Sequence, residues 1–190
     1  MFKKLIISIS LGLILSSNLY AQDESKKSSN STLYIHPFSL ILSGTPGFTW
    51  LTATYENNFT NGKSFLVRPM FMKLGKDDGI SQGAIGVGLR NYMAKPNSGI
   101  YFDLVGNVGF ASLEIEDDNT GESIDGSGLF FAGLGHIGAK KRWDKLSLMI
   151  DIGGGYQYIA INLEDSQGNE VEGTGGGPAF DINFGVGFHF

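Results

Sequence analysis

The sequence predicts an all-β fold: an eight-stranded antiparallel barrel, an up-and-down meander whose outer wall meets hydrocarbon. Three observations predict it: a strictly alternating C-terminal segment, the same two-faced pattern repeated upstream between turn signals, and an export-type segment at the N-terminus. From Ala179 onward, Phe180, Ile182, Phe184, Val186, Phe188 and Phe190 share one face, while Ala179, Asp181, Asn183, Gly185, Gly187 and His189 share the other. Strand side chains point to opposite faces with period two, so one face is too apolar for water and the other too polar for a dry core. A soluble sandwich would use the Phe face as its core, whereas a bilayer would solvate it. The start of the chain favours the bilayer.

Met1 to Lys4 is short and basic, residues 5–15 are a nearly unbroken apolar run, and residues 16–21 are mostly small or polar. Residues 1–21 therefore read as a signal peptide cut after Ala21, although Leu19 is larger than the small residue usual at its position. The run is too short for a spanning helix, which needs about 20 apolar residues. With no cysteine in the chain, a lipid anchor is excluded and the exported domain has no disulfides to rely on. Residues 22–31 read as a flexible polar leader, and residues 32–190 as one domain. Removing Lys3 and Lys4 from the 14 basic residues leaves 12 against 19 acidic ones, a net charge of −7. That balance argues against a nucleic-acid partner.

The first expected strand, residues 32–43, is the least regular, because its apolar residues do not alternate cleanly and Pro37 removes a ladder donor, so a bulge or an end of regular pairing is expected there. A tight turn at residues 44–47 leads to residues 48–58, where Trp50, Thr52, Thr54 and Glu56 share a face. The Asn61-Gly62 pair is a hairpin signal that joins this strand to residues 63–74, where Arg68 faces inward and Pro69 is expected to cause a bulge or a break in pairing. Residues 81–93 follow, with Gly86, Gly88 and Arg90 inward. After a compact turn come residues 99–115, in which Ile100, Phe102, Leu104, Val108 and Phe110 oppose Tyr101, Asp103, Val105, Asn107 and Ala111. Residues 128–142 place His136 inward. In residues 146–161, Leu146, Leu148, Ile150, Ile152, Tyr156 and Tyr158 oppose Ser147, Met149, Asp151 and Gln157, and residues 178–190 complete the set. No helix is expected.

Short turns alternate with the longer polar segments 75–80, 116–127 and 162–177, and both termini lie on the short-turn side, which is the layout of a transmembrane barrel. A chain crossing lipid must pair its backbone groups, so the strands should close into a ring. Phe102 and Phe110 are eight residues apart, roughly 20 Å of height at about 3.3 Å per residue on a tilted strand, close to a ~25 Å apolar band. Trp143, Phe188 and Phe190 would form the lower aromatic girdle; Phe131, Tyr156 and Tyr158 would form the upper.

The last six residues, Gly185-Val186-Gly187-Phe188-His189-Phe190, fit the pattern Gly-x-x-aromatic-x-Phe. With the signal peptide and eight amphipathic strands, the chain resembles the small bacterial outer-membrane β-barrel proteins, the OmpA-barrel and OmpX-like group. The resemblance covers residues 32–190 as a pattern of alternation and only the last six as a motif. It implies residence in a Gram-negative outer membrane, a monomer in contact with lipid and lipopolysaccharide, and folding by assembly machinery that reads Gly185, Phe188 and Phe190.

Eight strands enclose an interior just wide enough to be filled by side chains, so an open porin is not expected. An isolated buried ion costs several kcal/mol, so Arg68 and Arg90 should pair with Glu56, Asp103, Asp151 and Asp181. Two cations for four carboxylates imply that His136, Lys140 or Arg142 joins the network, or that some carboxylates are wet or protonated. Lys140, Lys141, Arg142 and Lys145 also read as rim cations, in water or snorkelling towards headgroups. Such a network fills and rigidifies the barrel; the alternative is a gate whose ion pairs exchange to pass small solutes, making a narrow channel or carrier.

No catalytic group, cofactor or metal is expected. His36 and Ser39 sit on opposite faces of a regular strand, His136 has no serine beside it, and His189 lies near the lower mouth. The acidic residues Glu114, Glu116, Asp117, Asp118, Glu122 and Asp125, with Glu164, Asp165, Glu170 and Glu172, read as a solvated surface; the alternative is a Ca²⁺ or Mg²⁺ bridge to lipopolysaccharide phosphates. A soluble lipocalin-like barrel, with the apolar face turned inward, is the remaining rival.

Overall fold

The computed structural model describes residues 30–43, 45–60, 62–75, 79–93, 97–116, 123–165, 168 and 170–190. The expected signal peptide, the leader up to residue 29, and Asp117, Asp118 and Glu122 of the acidic segment lie outside these residues. Chain order is β1 (Ser31–Ile35), α1 (Pro37–Leu42), β2 (Phe48–Thr60), β3 (Lys63–Leu74), β4 (Gly79–Tyr92), β5 (Gly99–Glu116), β6 (Ser123–Arg142), β7 (Leu146–Asp165) and β8 (Glu170–His189). Each strand pairs antiparallel with the next, and β1 pairs with β8, so the sheet closes into an eight-stranded meander barrel.

Two expectations about the elements need correction. The first strand stops at Ile35, and residues 37–42 form a helical turn in place of its second half. Pro37 is the cause: it has no N–H for a ladder, yet its fixed φ suits the first turn of a helix. The strands are also longer than the apolar alternation suggested. β6 begins at Ser123 and β8 at Glu170, so half of the segment expected as a long loop at 116–127 and most of that at 162–177 is paired strand. There the ladder joins polar residues directly, as in Ser112↔Ser127 and Asn162↔Glu172. Pairing needs backbone groups only, and an apolar face is not required where no core or lipid must be met.

Pro69 acts as its chemistry demands. The β2–β3 pairing runs from Phe48↔Leu74 to Thr52↔Met70 and resumes at Tyr55↔Val67, leaving out Pro69 and Arg68 without changing register. On its other side Pro69 stays in register with Ile85 of β4.

The barrel is inverted relative to a water-soluble one. Phe102, Leu104, Ile150, Ile152, Phe180, Ile182 and many like them are exposed on the outer wall, while Glu56, Arg68, Arg90, Asp103, His136, Lys140, Asp151 and Asn183 are buried inside. Cross-strand register keeps the two faces separate around the ring, for example Arg90↔Asp103↔His136↔Gly153↔Asp181 inward and Phe102↔Ile137↔Ile152↔Ile182 outward.

Candidate functional site

The lower half of the lumen is filled by a polar plug centred on Glu56 of β2. Its Oε2 accepts hydrogen bonds from Arg90 Nη1 and Lys140 Nζ, both at 3.0 Å, and from Tyr34 OH at 3.1 Å. Its Oε1 accepts from Tyr92 OH at 2.6 Å and Ser64 Oγ at 2.9 Å. Arg90 of β4 holds Asp103 of β5 in a two-pronged pair, Nε to Oδ1 and Nη2 to Oδ2, both 2.8 Å. The fork geometry of guanidinium and carboxylate makes this among the stronger pairings available. The Arg90 guanidinium also lies 3.7 Å from the ring centroid of Tyr101, whose hydroxyl donates to Asp151 Oδ2 at 2.7 Å.

A second tier lies beside it, towards the long-strand end. Asn183 Nδ2 bridges Asp151 Oδ1 at 2.8 Å and Asp181 Oδ2 at 2.9 Å. Asp181 Oδ2 also meets His136 Nε2 at 3.0 Å and accepts from Arg68 Nη1 at 3.2 Å. Arg68 Nε donates to Thr54 Oγ1, which is 2.9 Å from His36 Nε2. This tier is looser: Arg68 Nη2, His36 Nδ1 and His136 Nδ1 are buried with no hydrogen-bond partner among the described residues. Each such orphan costs about 1–3 kcal/mol of desolvation.

All seven lumen residues singled out from the sequence thus touch one another or a shared partner. Of the two places the sequence offered Lys140, the structure gives it the one in the network: it is buried against Glu56 and is not a rim cation, whereas Lys141 and Lys145 are exposed. It shares the inward parity of His136, and its long stem carries the ammonium back into the plug. Sequence reasoning missed Tyr34, Tyr92, Ser64 and Thr54 as partners. Burial of a Tyr requires a mate for its hydroxyl, so inward parity was the available signal.

Inward glycines make the plug possible. A Cβ at Gly138 would run into Tyr101 and Asp151, one at Gly153 into the His136 ring, and one at Gly187 into Tyr34 and Ser147.

No protein-family model matches the chain, and no curated protein matches it.

The remaining candidate groups sit as follows. The His36 ring meets Thr54, while Ser39 Oγ donates to the His36 backbone oxygen. His189 Nδ1 is 2.8 Å from Thr32 Oγ1. At the C-terminus, Gly185 is packed against Met149 and Tyr34, Phe188 and Phe190 point outward, and the Phe190 N–H donates to Ser31 O at 3.1 Å. On the polar ends of the long strands, Glu114, Asp125, Glu164 and Glu170 are direct cross-strand neighbours. Among the described residues no group of His, Asp and Glu is placed to hold a metal ion.

Proposed function

We propose that this chain is an integral β-barrel of a bacterial outer membrane, with a structural or surface-interacting role and a lumen sealed by ion pairs. The observation that carries this reading is the inverted distribution of polarity. Large apolar side chains encircle the outer wall, and buried charge occupies the interior. In water such a wall would be an apolar patch far beyond what monomers tolerate, whereas hydrocarbon solvates it at no cost. A lipocalin-like soluble barrel needs the opposite arrangement, with the apolar face lining its cavity.

The plug favours a sealed barrel over a channel. Tyr34, Tyr92, Tyr101, Met149 and Arg90 are almost wholly inaccessible around Glu56, which supports a sealed lumen. The C-terminal Phe188 and Phe190, held at the lower rim, support recognition by the outer-membrane assembly machinery. The test is fractionation of expressing cells, followed by electrophoresis of unheated and boiled samples. The expected result is a band in the outer-membrane fraction that migrates faster unheated. Recovery from the periplasm without detergent would overturn the reading.

A further inference from the structure

Closure of the barrel is uneven. β1 joins β8 only from Thr32↔His189 to Ile35↔Val186, and the next ladder position, opposite Phe184, falls to Pro37, which has no N–H. α1 takes the place of a longer strand and lies close to both β2 and β8. Its end closes the edge of β2. Ser43 Oγ donates to Trp50 O at 2.7 Å and accepts from Trp50 N at 2.6 Å, and the Phe48 N–H donates to Thr45 O at 3.0 Å. The β8 edge has no such cap: from Glu170 to Gly185 it has no ladder partner on its β1 side among the described residues.

The stagger of the ring lifts part of that edge clear of its neighbours. Tyr55 is joined through Leu33 to Phe188 one way round the barrel, and through Val67, Val87, Gly106, Gly133 and Tyr156 to Pro178 the other way. The two end points lie ten residues apart on β8 (188 − 178), the shear that closing a tilted sheet requires. Carrying the register Ala53↔Ile35↔Val186 five residues further brings Phe48, the first residue of β2, level with Asp181. β8 beyond Asp181 therefore runs past the top of β2. On the far side of the same group of strands, β5 is paired with β4 up to Glu114. Among the described residues, the long open edge of β5 to β8 thus belongs to β8.

The Phe190 N–H points at β1 and the His189 N–H at the β7 side, so by alternation the even-numbered residues of β8 aim their backbone groups away from β7. Above Pro178 these are Glu170, Glu172, Thr174 and Gly176, and the β7 ladder behind them runs without a bulge. A straight, unpaired strand edge is a template for another strand, and proteins guard such edges with lysines, prolines or bulges. β8 contains no Lys or Arg, and its one proline, Pro178, stands below this stretch, where it stops a docked strand from continuing downward. The outer face beside the edge is acidic. Glu170 and Glu172 are exposed, and Glu164, Asp125 and Glu114 follow Glu170 in one cross-strand row. We propose that residues 170–176 of β8 are a docking edge for an extended, Lys- or Arg-bearing segment of another polypeptide, which adds to the sheet as a further strand. Backbone hydrogen bonds to the four even-numbered residues hold it, and its outward cations lie against Glu170 and Glu172. A second copy of this chain is the wrong occupant, because β8 against β8 would bring two sets of these glutamates together. The docking edge gives a partner class to the surface-interacting role proposed above, and rests on that reading for the side of the membrane on which it stands.

The test titrates the refolded protein with a short fluorescent peptide of alternating Lys and Val. The expected result is binding, accompanied by protection from deuterium exchange of the amide hydrogens of Glu172, Thr174 and Gly176; those of Val171, Gly173 and Gly175 are already held by β7. Methylating alternate backbone nitrogens of the peptide should weaken binding about tenfold or more, since several hydrogen bonds are lost together. Thr174→Pro, which removes one N–H from the open side and none from the β7 ladder, should weaken it in the same direction. A peptide of alternating Glu and Val should bind far less well, and Glu170→Gln/Glu172→Gln should narrow that difference. Where Thr174→Pro does not give the unheated fast-migrating form, the methylated peptide on unaltered protein decides. No binding of the Lys/Val peptide, or binding indifferent to methylation and without new amide protection, would overturn the docking edge and leave the membrane reading intact. Protection of Glu172, Thr174 and Gly176 that rises with protein concentration in the absence of peptide would assign the edge to a second copy of the chain and also overturn it. Recovery of the protein from the periplasm without detergent, with peptide binding retained, would remove the membrane reading and keep the docking edge.

Discussion

Glu56 is the residue on which the plug turns, since one carboxylate serves two cations and two tyrosines across β1, β2, β4 and β6. Removing one partner of a buried ion pair typically costs about 3–5 kcal/mol, because the other charge is left uncompensated. Glu56→Ala should therefore lower the stability in urea by that amount; a loss below about 1 kcal/mol would mean that water replaces the carboxylate. Glycine substitutions test the packing of the same region. Gly153→Ala drives a methyl into the His136 ring and should cost about 1–3 kcal/mol. Gly133→Ala, on the outer wall with open space around it, should change stability by less than about 0.5 kcal/mol. The same residues show what could be read from sequence. Parity placed Asp103, Asp151 and Asp181 inward and the shortage of cations offered Lys140 a place beside them, but neither gave depth, so a rim position next to a turn stayed open. Its partner, Glu56, is 84 positions away, and no local pattern names it.

At the scale of elements, alternation located the strands well where one face meets charge and the other an apolar phase, as in β5 and the lower part of β8. It failed at residues 170–177, Glu-Val-Glu-Gly-Thr-Gly-Gly-Gly, which have no apolar face and yet pair with β7 throughout. It also failed at α1, where His36, Ser39 and Ser43 recur at intervals of three and four within an apolar run. That spacing marks a helix with its polar stripe inward, but six residues are too few for the period to stand out. The extended strands bring a consequence of their own. Glu164 lies directly opposite Asp125 on one side and Glu170 on the other. Like charges facing each other across a ladder destabilise by roughly 0.2–1 kcal/mol each. Glu164→Gln should raise the unfolding midpoint at low ionic strength, with the gain shrinking as salt is added, because a Debye length near 10 Å at 0.1 M screens the row. A gain that persists in high salt would point to a cause other than charge.

For the whole molecule, the decisive feature is a lower lumen filled around Glu56 and Arg90. A barrel blocked at Glu56 and Arg90 should give no discrete conductance steps in a planar bilayer. Steps seen with the intact protein, and abolished by Arg90→Ala, would replace the sealed plug with a gate. Closed topology was legible because reading the amphipathic strands as crossing lipid leaves an open sheet no way to pair its edges. The weakness of one seam was not, since it depends on how many residues of β1 survive before Pro37 ends the ladder.

That short closure also dictates an order of events. The stitch between Thr32 and His189 spans 157 positions of the chain, nearly all of the domain. Bringing such distant segments together carries the largest loop-closure entropy of any pairing here, and only four residue pairs recompense it. Closure is accordingly expected to be the last step of assembly and the first to reverse on heating. Amide hydrogens of residues 31–35 should exchange with deuterium well before those of β6 and β7, whose ladders run unbroken on both sides.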